Sequence, residues 1–435
     1  MTASSKFDSS AQGGSTGVSR RTFLKSSAAG ASLAAVPYLA TLSTPAWAKK
    51  GVVKFGASLP LTGSYAQVSN FYKLGYEFWA ETVGHKIVVG DRELPIEWVI
   101  YDDEFNAART AQLTERMIST DKVDCIVGTY GTAPVLAQGA IAARYNMITI
   151  QGGAATRRVD EEIGGKTTFT LVASANVYPN LAMKFFSELN PKPKRIATIS
   201  YDEAANREMA DQVIQLCSEL GMEHVIDIEL PVSVTDLRPT VLKLKQAGEI
   251  DLLYHTGHDV PLVKLIQECA ALGFNPKAIL GGYLTTVPSV KEALGSNMRD
   301  LFGVAMWLPQ FKYADPHFGS CQEFADKFTA YTKVEAEYHC AMAYSMPLLY
   351  EMTLRGATES NPLDNQVIRK KLQAMNGVET VWGPVSFNEQ GRMASPGLPV
   401  IQWQGKDPEL QVIYPENLAM AEAVYPVPAW SERSR

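Results

Sequence analysis

The sequence lacks most of the residue patterns that mark catalytic and metal sites. Its 435 residues include only five cysteines and six histidines, with no Cys-x-x-Cys pair and no histidine near a cysteine at a spacing typical of metal ligands. Beyond residue 48 there is neither a Gly-x-Ser-x-Gly nucleophile turn nor a P-loop lysine motif. We therefore expect no cofactor, no metal and no enzymatic activity. The sequence does not decide whether Cys321 and Cys340 form a disulfide, which an oxidising compartment would permit.

Positive charge is also scarce. The chain has 40 basic and 46 acidic side chains, a formal net charge of −6. Four of the basic and one of the acidic groups lie in the first 48 residues, so the remainder carries 36 and 45, or −9. This balance argues against nucleic acid and anionic membrane as partners. It does not exclude a small anionic ligand, because the geometry of a single turn can outweigh net charge.

Residues 1–48 are typical of an export signal. Ser19–Lys25 (S-R-R-T-F-L-K) resembles the twin-arginine motif, a weakly apolar run follows, and Ala46-Trp47-Ala48 has the small-x-small form of a signal-peptidase site. The alternatives are a basic tail or a membrane anchor, but the apolar run is short and contains Pro37. We expect twin-arginine export, cleavage after Ala48, a periplasmic mature chain and no insertion of that chain into the membrane.

The remaining sequence alternates strand-like and helix-like segments. Such alternation predicts an α/β fold with parallel sheets covered on both faces. There are too many strands for one compact sheet, and the pattern restarts after about residue 172. We therefore predict two doubly wound lobes with the ligand cleft between them. Residues 383–388 and 400–403 are predicted to form a terminal hairpin.

The stretch Val123–Thr156 predicts a strand, a turn, a helix, a second strand and a second turn. Ligands bind at the carboxyl ends of strands in open α/β sheets, where both turns lie. Thr132 is predicted to cap the helix, and free N–H groups at the helix start, with the hydroxyls of Thr132 and Thr156, would hold a carboxylate. An ordinary βαβ unit without a ligand is an equal alternative at this point.

Two features of the sequence suggest an enzyme instead. His255-x-x-His258 next to Asp259 suggests a metal site, but on a strand-to-turn segment the two imidazoles do not share a helix face, and no third ligand is evident. Twin-arginine export often serves redox enzymes, which makes an exported oxidoreductase the natural rival. That rival needs a cofactor motif, and Gly128-x-x-Gly131 is too short for a dinucleotide loop.

Seven short motifs follow one another in a recognisable order. They are Gly56–Gly63 (G-A-S-L-P-L-T-G), Tyr101-Asp102-Asp103, Gly128–Thr132 (G-T-Y-G-T), Gly153–Thr156 (G-A-A-T), Tyr201-Asp202, Gly281-Gly282 and Gly383–Gly391 (G-P-V-S-F-N-E-Q-G). In this order, residues 51 to about 410 resemble the periplasmic branched-chain amino-acid (Leu/Ile/Val)-binding protein family, the receptors of ABC importers. The resemblance implies three interlobe crossovers and hinge closure on the ligand. It also implies one lobe of residues 49–171 and 304–382, and a second of residues 172–303 and 383–435.

The resemblance also implies site residues. In amino-acid-binding members the ligand carboxylate sits on two turns of the first lobe, which here correspond to Thr132, Ala154 and Thr156, beside Tyr130 and Gly131. The residue that pairs with the ligand ammonium is acidic in those members, but here the position is Tyr283. An aromatic position of the family corresponds to Asn206. Asp259 could replace the missing acid or simply cap the next helix.

A changed second lobe puts a plain α-amino acid in doubt, because a buried ammonium without a carboxylate is costly. A carboxylate with an aromatic, aliphatic or amide body is the alternative ligand. His258 is a candidate hydrogen-bond donor, and Tyr65, Tyr130, Tyr283 and Tyr338 could line the ligand or serve packing alone. The expected function is a periplasmic receptor that delivers such a ligand to the permease of an ABC importer. The alternative is a module that senses the ligand and reports to a regulator.

Overall fold

The computed structural model describes residues 46–433. The predicted export signal lies outside the described residues, apart from its last three positions. These belong to a short 3-10 helix, Ala46–Lys49. Within residues 46–433, no helix combines the length and the apolar character that crossing a bilayer requires. The five cysteines all lie in this part of the chain, where each is a buried free thiol, so Cys321 and Cys340 are not paired.

The first sheet has six strands in the order β2-β3-β1-β4-β5-β6. Its strands are β1 Val53–Leu59, β2 Lys86–Val89, β3 Arg92–Asp102, β4 Cys125–Val127, β5 Thr149–Gln151 and β6 Thr168–Thr170. Only β2 is antiparallel to its neighbour, and it forms a hairpin with β3 across Gly90-Asp91. The other pairings are parallel, as the strand–helix alternation requires.

The second sheet has seven strands in the order β15-β14-β11-β10-β9-β7-β8. Its strands are β7 Arg195–Tyr201, β8 Glu223–Leu230, β9 Leu252–His255, β10 Ala278–Leu280, β11 Phe302–Val304, β14 Val400–Gln404 and β15 Glu409–Tyr414. Strands β7 to β11 pair in parallel, and β14 and β15 extend the sheet antiparallel at one edge. The predicted α/β fold with two parallel-dominated sheets in two lobes is therefore confirmed.

The predicted terminal hairpin is wrong. Residues 383–385 form β13, which pairs with β12, Val378–Thr380, in a separate two-stranded sheet. Strand β14 instead pairs with β11 and β15 of the second sheet. The segment between β13 and β14 is too long for a hairpin turn. It contains the buried Arg392 and two glycines with positive φ, Gly391 and Gly397.

Helices cover the first sheet on both faces. In β4, Cys125 and Val127 belong to the main core, whereas Ile126 between them packs with Met117 and Ala142 on the other side. The described helices are α1 Ala66–Thr82, α2 Ala107–Arg116, α3 Thr132–Arg144, α4 Arg158–Glu162, α5 Asn180–Glu188, α6 Ala204–Glu219, α7 Arg238–Gln246, α8 Asp259–Ala271, α9 Pro288–Leu294, α10 Cys321–Thr332, α11 Tyr338–Leu354, α12 Asn365–Gln373 and α13 Trp430–Arg433.

Helix α11 returns the chain from the second sheet to the core of the first. All its residues except Met352 are buried, which agrees with a sequence that is apolar all round. The Tyr350 hydroxyl donates to the carbonyl oxygens of Ile126 and Ile148, at 3.0 and 2.9 Å. The first lobe is therefore assembled from two separate stretches of the chain.

The segments that cross between the two sheets are tied to one another. Trp382 Nε1 donates to the Leu171 carbonyl at 3.0 Å, and Trp307 Nε1 donates to the Val381 carbonyl at 2.7 Å. Both indoles are nearly inaccessible to solvent, so these bonds form in a desolvated setting. The crossing segments therefore form one connected unit beside the cleft. The exact lobe boundaries, such as 171/172 and 382/383, stay a prediction.

Candidate functional site

A cavity of about 300 Å³ lies between the carboxyl ends of the two sheets. The segments after β1, β3, β4 and β5 line it from the first lobe, and those after β7, β9, β10 and β11 line it from the second. Eight of the eleven residues predicted to contact a ligand lie in this wall: Tyr65, Tyr130, Gly131, Thr132, Ala154, His258, Tyr283 and Tyr338. Thr156, Asn206 and Asp259 are not among the lining residues. Ligand contact itself stays a prediction for each of them.

The turn after β4 presents the start of α3 to the cavity. Gly131 precedes the helix with φ 93°, a conformation that glycine adopts without strain. Gly131 N–H donates to the Gly153 carbonyl at 3.0 Å, so the two predicted turns lie side by side. The predicted N-cap role of Thr132 is wrong, because the helix begins at Thr132 itself and its side chain makes no capping bond. The N–H groups of Thr132 and Ala133 have no helical acceptor, which suits an anion.

The turn after β5 holds an anion that the chain itself supplies. Thr156 Oγ1 donates to Glu208 Oε1 at 2.7 Å, and Arg157 N–H donates to both Glu208 oxygens at 3.1 and 3.0 Å. Thr156 is fully buried. The sequence predicts that the Thr156 hydroxyl helps to hold a ligand carboxylate, but in the structure this hydroxyl is bonded to a carboxylate from α6 of the second lobe. In this conformation the Thr156 hydroxyl is therefore directed away from the cavity.

Glu203 is the acidic residue that the sequence interpretation missed. It follows β7, lines the cavity, and its Oε2 lies 2.7 Å from His258 Nε2. The same oxygen accepts from Asn206 Nδ2 at 2.9 Å, which explains why Asn206 faces Glu203 instead of the cavity. Asp259 is the first residue of α8, where its carboxylate accepts the N–H of Val260. The signal for Glu203 was present, because it directly follows the Tyr201-Asp202 motif.

The hydrogen bond to Glu203 is the main cause that raises the pKa of His258. Burial opposes it, and the charges of Glu203 and Asp259 add to the rise. A protonated His258 and an ionised Glu203 form a neutral pair at the cavity wall. The second lobe therefore offers a hydrogen-bonding pair whose net charge depends on pH.

His255 has a different environment from His258. Its Nε2 lies 3.0 Å from the Tyr201 hydroxyl, and burial, aided by the His258 charge, lowers its pKa to about 3. The two imidazoles thus have separate partners. Among residues 46–433, no group of three or more His, Cys, Asp or Glu side chains could hold a metal ion.

Six tyrosines line the cavity. Tyr65, Tyr130, Tyr283 and Tyr338 were candidates from the sequence, and the structure adds Tyr72 and Tyr178. The Tyr72 and Tyr130 ring centroids lie 5.9 Å apart, and the Tyr178 and Tyr283 centroids 5.7 Å apart, each pair close to edge-on. Burial raises the pKa of every one of these six hydroxyls. The wall therefore offers neutral phenols and ring faces.

The outer wall of the cavity includes Phe105, stacked on Tyr65 with ring centroids 4.0 Å apart. Phe105 has φ 59°, which is unusual for a bulky residue. The Asp103 carboxylate holds this backbone by accepting Phe105 N–H at 3.0 Å and the Thr129 hydroxyl at 2.8 Å. A Cβ on Gly131 would lie 2.3 Å from the Phe105 ring, so the ring packs directly against the α3 turn.

Comparisons with known proteins agree on one family. The model of a family described as periplasmic binding protein matches residues 52–408. "Leu/Ile/Val-binding protein homolog 8" of Brucella suis is 24% identical over 400 residues, which span 88% of this chain and 96% of that protein.

Two solved structures share the fold. One is an ABC-transporter solute binding protein from R. palustris in complex with benzoate, with TM-score 0.70, 18% identity, and coverage of 87% of this chain and 97% of that one. The other is a branched-chain amino acid transporter substrate binding protein from Streptococcus pneumoniae in complex with isoleucine. Its TM-score is 0.68 at 17% identity, covering 86% of this chain and 99% of that one.

Proposed function

Since the chain belongs to the periplasmic binding protein family, we propose that it is the solute-binding receptor of an ABC importer. In this proposal it captures a small carboxylate between its two lobes by hinge closure and delivers it to a membrane permease. The observation that carries the proposal is a cavity whose wall comes from the strand ends of both sheets. A ligand that touches both lobes stabilises the closed arrangement by its differential affinity.

The first lobe supports a carboxylate. The backbone N–H groups of Thr132 and Ala133 and the Thr132 hydroxyl form a compact donor set at the helix start. Arg158 also borders the cavity, although its Nε is engaged by Glu162 at 2.8 Å. The donor groups are therefore mostly uncharged, as suits a ligand that must be released again.

The second lobe leaves room for two ligand classes. Glu203 could accept a ligand ammonium, which would favour an α-amino acid. The same carboxylate already bonds His258 and Asn206, which favours an acid without an amine. The two solved relatives carry isoleucine and benzoate, one from each class. The aromatic wall suits the body of either ligand.

Calorimetric titration of the purified protein separates these classes. We would titrate L-leucine, L-isoleucine, benzoate and isobutyramide, the last as an amide without a carboxylate. Binding of the amino acids, with loss in a Glu203→Gln variant, supports ammonium capture. Binding of benzoate alone supports an amine-free acid. Binding of the amide with no carboxylate bound would contradict the proposed anion site.

Export and delivery are parts of the same proposal. We propose a periplasmic location, twin-arginine export and cleavage after Ala48. Mass spectrometry of the periplasmic fraction tests this, since the mature chain would begin at Lys49. Genes for a permease and an ATPase beside this gene would favour import, whereas a neighbouring sensor-kinase gene would favour the sensing alternative.

A further inference from the structure

Two buried hydroxyl groups in the cavity wall have no hydrogen-bond partner among residues 46–433. They belong to Tyr72, which is fully buried, and Tyr178, which is 1% exposed. Leaving a buried hydroxyl unpaired is unfavourable, because the group loses its bonds to water and gains none in return. Such a group in a cavity wall calls for a partner that the protein does not supply.

Other buried tyrosines show that this chain can satisfy such hydroxyls when they serve structure. Tyr76 donates to the Gly128 carbonyl at 2.8 Å, and Tyr350 donates to two carbonyl oxygens. Tyr254, Tyr344 and Tyr425 also have unpartnered hydroxyls, but none of these three residues borders the cavity. Tyr254 is therefore a matched control for an unpaired phenol remote from the site.

The two hydroxyls come from different parts of the molecule. Tyr72 lies on α1, with its ring near Tyr130 and His339 of the first lobe. Tyr178 lies just before α5, with its ring against Tyr283 after β10 of the second sheet. Both residues line the same cavity. A group placed between them would contact both sides of the cleft.

We propose that the ligand carries a hydroxyl group on its body, in addition to its carboxylate, and that this hydroxyl bonds to Tyr72 and Tyr178. A hydroxyl fits because it donates one hydrogen bond and accepts others, as each phenol also does. The ligand class is a small hydroxylated carboxylate. This inference rests on the proposed function, because the carboxylate is assigned there to the start of α3.

Pairs of ligands that differ by one hydroxyl test the inference. We would use 4-hydroxybenzoate against benzoate, and L-threonine against its near-isostere L-valine. In the wild-type protein the hydroxylated member of the pair that binds should have at least a tenfold lower Kd, because a site with unpaired polar groups rejects the analogue that lacks the hydroxyl. Equal or tighter binding of the apolar member would overturn the inference.

Tyr72→Phe and Tyr178→Phe identify the groups responsible. Each variant should reduce the preference for the hydroxylated ligand to about threefold or less. Tyr254→Phe should keep the full preference. A preference that survives in both cavity variants would assign the hydroxyl to other partners and contradict the inference.

A measurement on the ligand-free protein separates this inference from the proposed function. If no member of either pair binds, the proposed function fails for these carboxylates, and thermal unfolding still decides whether the two hydroxyls are unpaired. Unpaired hydroxyls predict that Tyr72→Phe and Tyr178→Phe keep or raise Tm, as Tyr254→Phe should, whereas Tyr350→Phe lowers it by several degrees. A decrease like that of Tyr350→Phe in both cavity variants would show hydroxyls satisfied within the protein and overturn the inference.

Discussion

The carboxylate of Glu208 accepts a hydrogen bond from the hydroxyl of Thr156 at 2.7 Å, and this bond joins the two lobes. Glu208 lies on α6, which follows the first strand of the second sheet, and Thr156 lies in the turn after β5 of the first. Arg157 N–H donates to the same carboxylate, and the Arg157 guanidinium lies 4.0 Å away. An internal anion thus occupies part of the cleft between the lobes.

Glu208→Ala should shift the ligand-free protein towards a more open arrangement, because the Thr156 hydroxyl loses its partner in the other lobe. Small-angle scattering should report a larger radius of gyration, and Kd for a bound carboxylate should rise as the closed population falls. Glu219→Ala, on the same helix but exposed, serves as the control. An unchanged radius in Glu208→Ala would show that this contact does not hold the lobes together.

Thr132→Val should weaken binding of a carboxylate by about 1–3 kcal/mol, because it removes a donor and leaves the ligand oxygen unpaired. The helix itself should be unaffected, since Thr132 makes no capping bond. Calorimetric titration gives the difference, with Thr235→Val in an exposed loop as the matched control. Equal affinity in both variants would remove Thr132 from the ligand site.

His258 should stabilise the fold in a pH-dependent way. Its pKa is raised in the folded state, chiefly by the bond to Glu203, so its contribution is complete below its unfolded pKa of about 6.5 and is lost as pH rises through the folded value. Urea unfolding of wild type and His258→Gln should therefore differ most near pH 6 and converge at higher pH. A difference that grows with pH would contradict this assignment. The pKa of His255 is lowered, so its effect on the free energy of unfolding changes with pH in the opposite direction. His255 is therefore left unchanged in both proteins.

Gly131→Ala should disturb the outer wall of the cavity. The substitution meets two obstacles, a φ of 93° and the Phe105 ring 2.3 Å from the new Cβ. Gly63→Ala is the matched control, because Gly63 has a φ of 81° but nothing within 4 Å of the new Cβ. The excess loss of stability in Gly131→Ala over Gly63→Ala measures the clash, and a second substitution, Phe105→Ala, should remove most of that excess. Equal losses of stability in both glycine variants would show that the Phe105 ring moves aside without destabilising the fold.

The sequence predicted the parts of this structure that depend on local pattern. The strand–helix alternation predicted the two sheets and their mainly parallel pairing. Strand pairings between segments that are distant in sequence were harder to predict. Strands β13 and β14 were recognised as extended segments but assigned to each other, because their true partners depend on where the chain crosses between the lobes.

The site shows the same division. The turns after β4 and β5 could be located from glycines and threonines, because turn chemistry is local. The occupation of the Thr156 turn by Glu208 could not, since it joins residues 52 positions apart across the cleft. Glu203 was not predicted, because the resemblance to the Leu/Ile/Val-binding family implies an acid at the position of Tyr283. The carboxylate lies at the end of a different strand of the same sheet.

The indole bonds between the crossing segments restrict how the lobes can move. Since Trp382 is joined to the Leu171 carbonyl and Trp307 to the Val381 carbonyl, no crossing segment can twist without turning its neighbours. We therefore expect the relative motion of the lobes to be a rotation about a single axis. The stiffness of that rotation, set by two tryptophans that do not line the cavity, should then affect the affinity for every ligand alike. Substitutions at the two tryptophans should thus tune binding strength while leaving the order of preference among ligands unchanged.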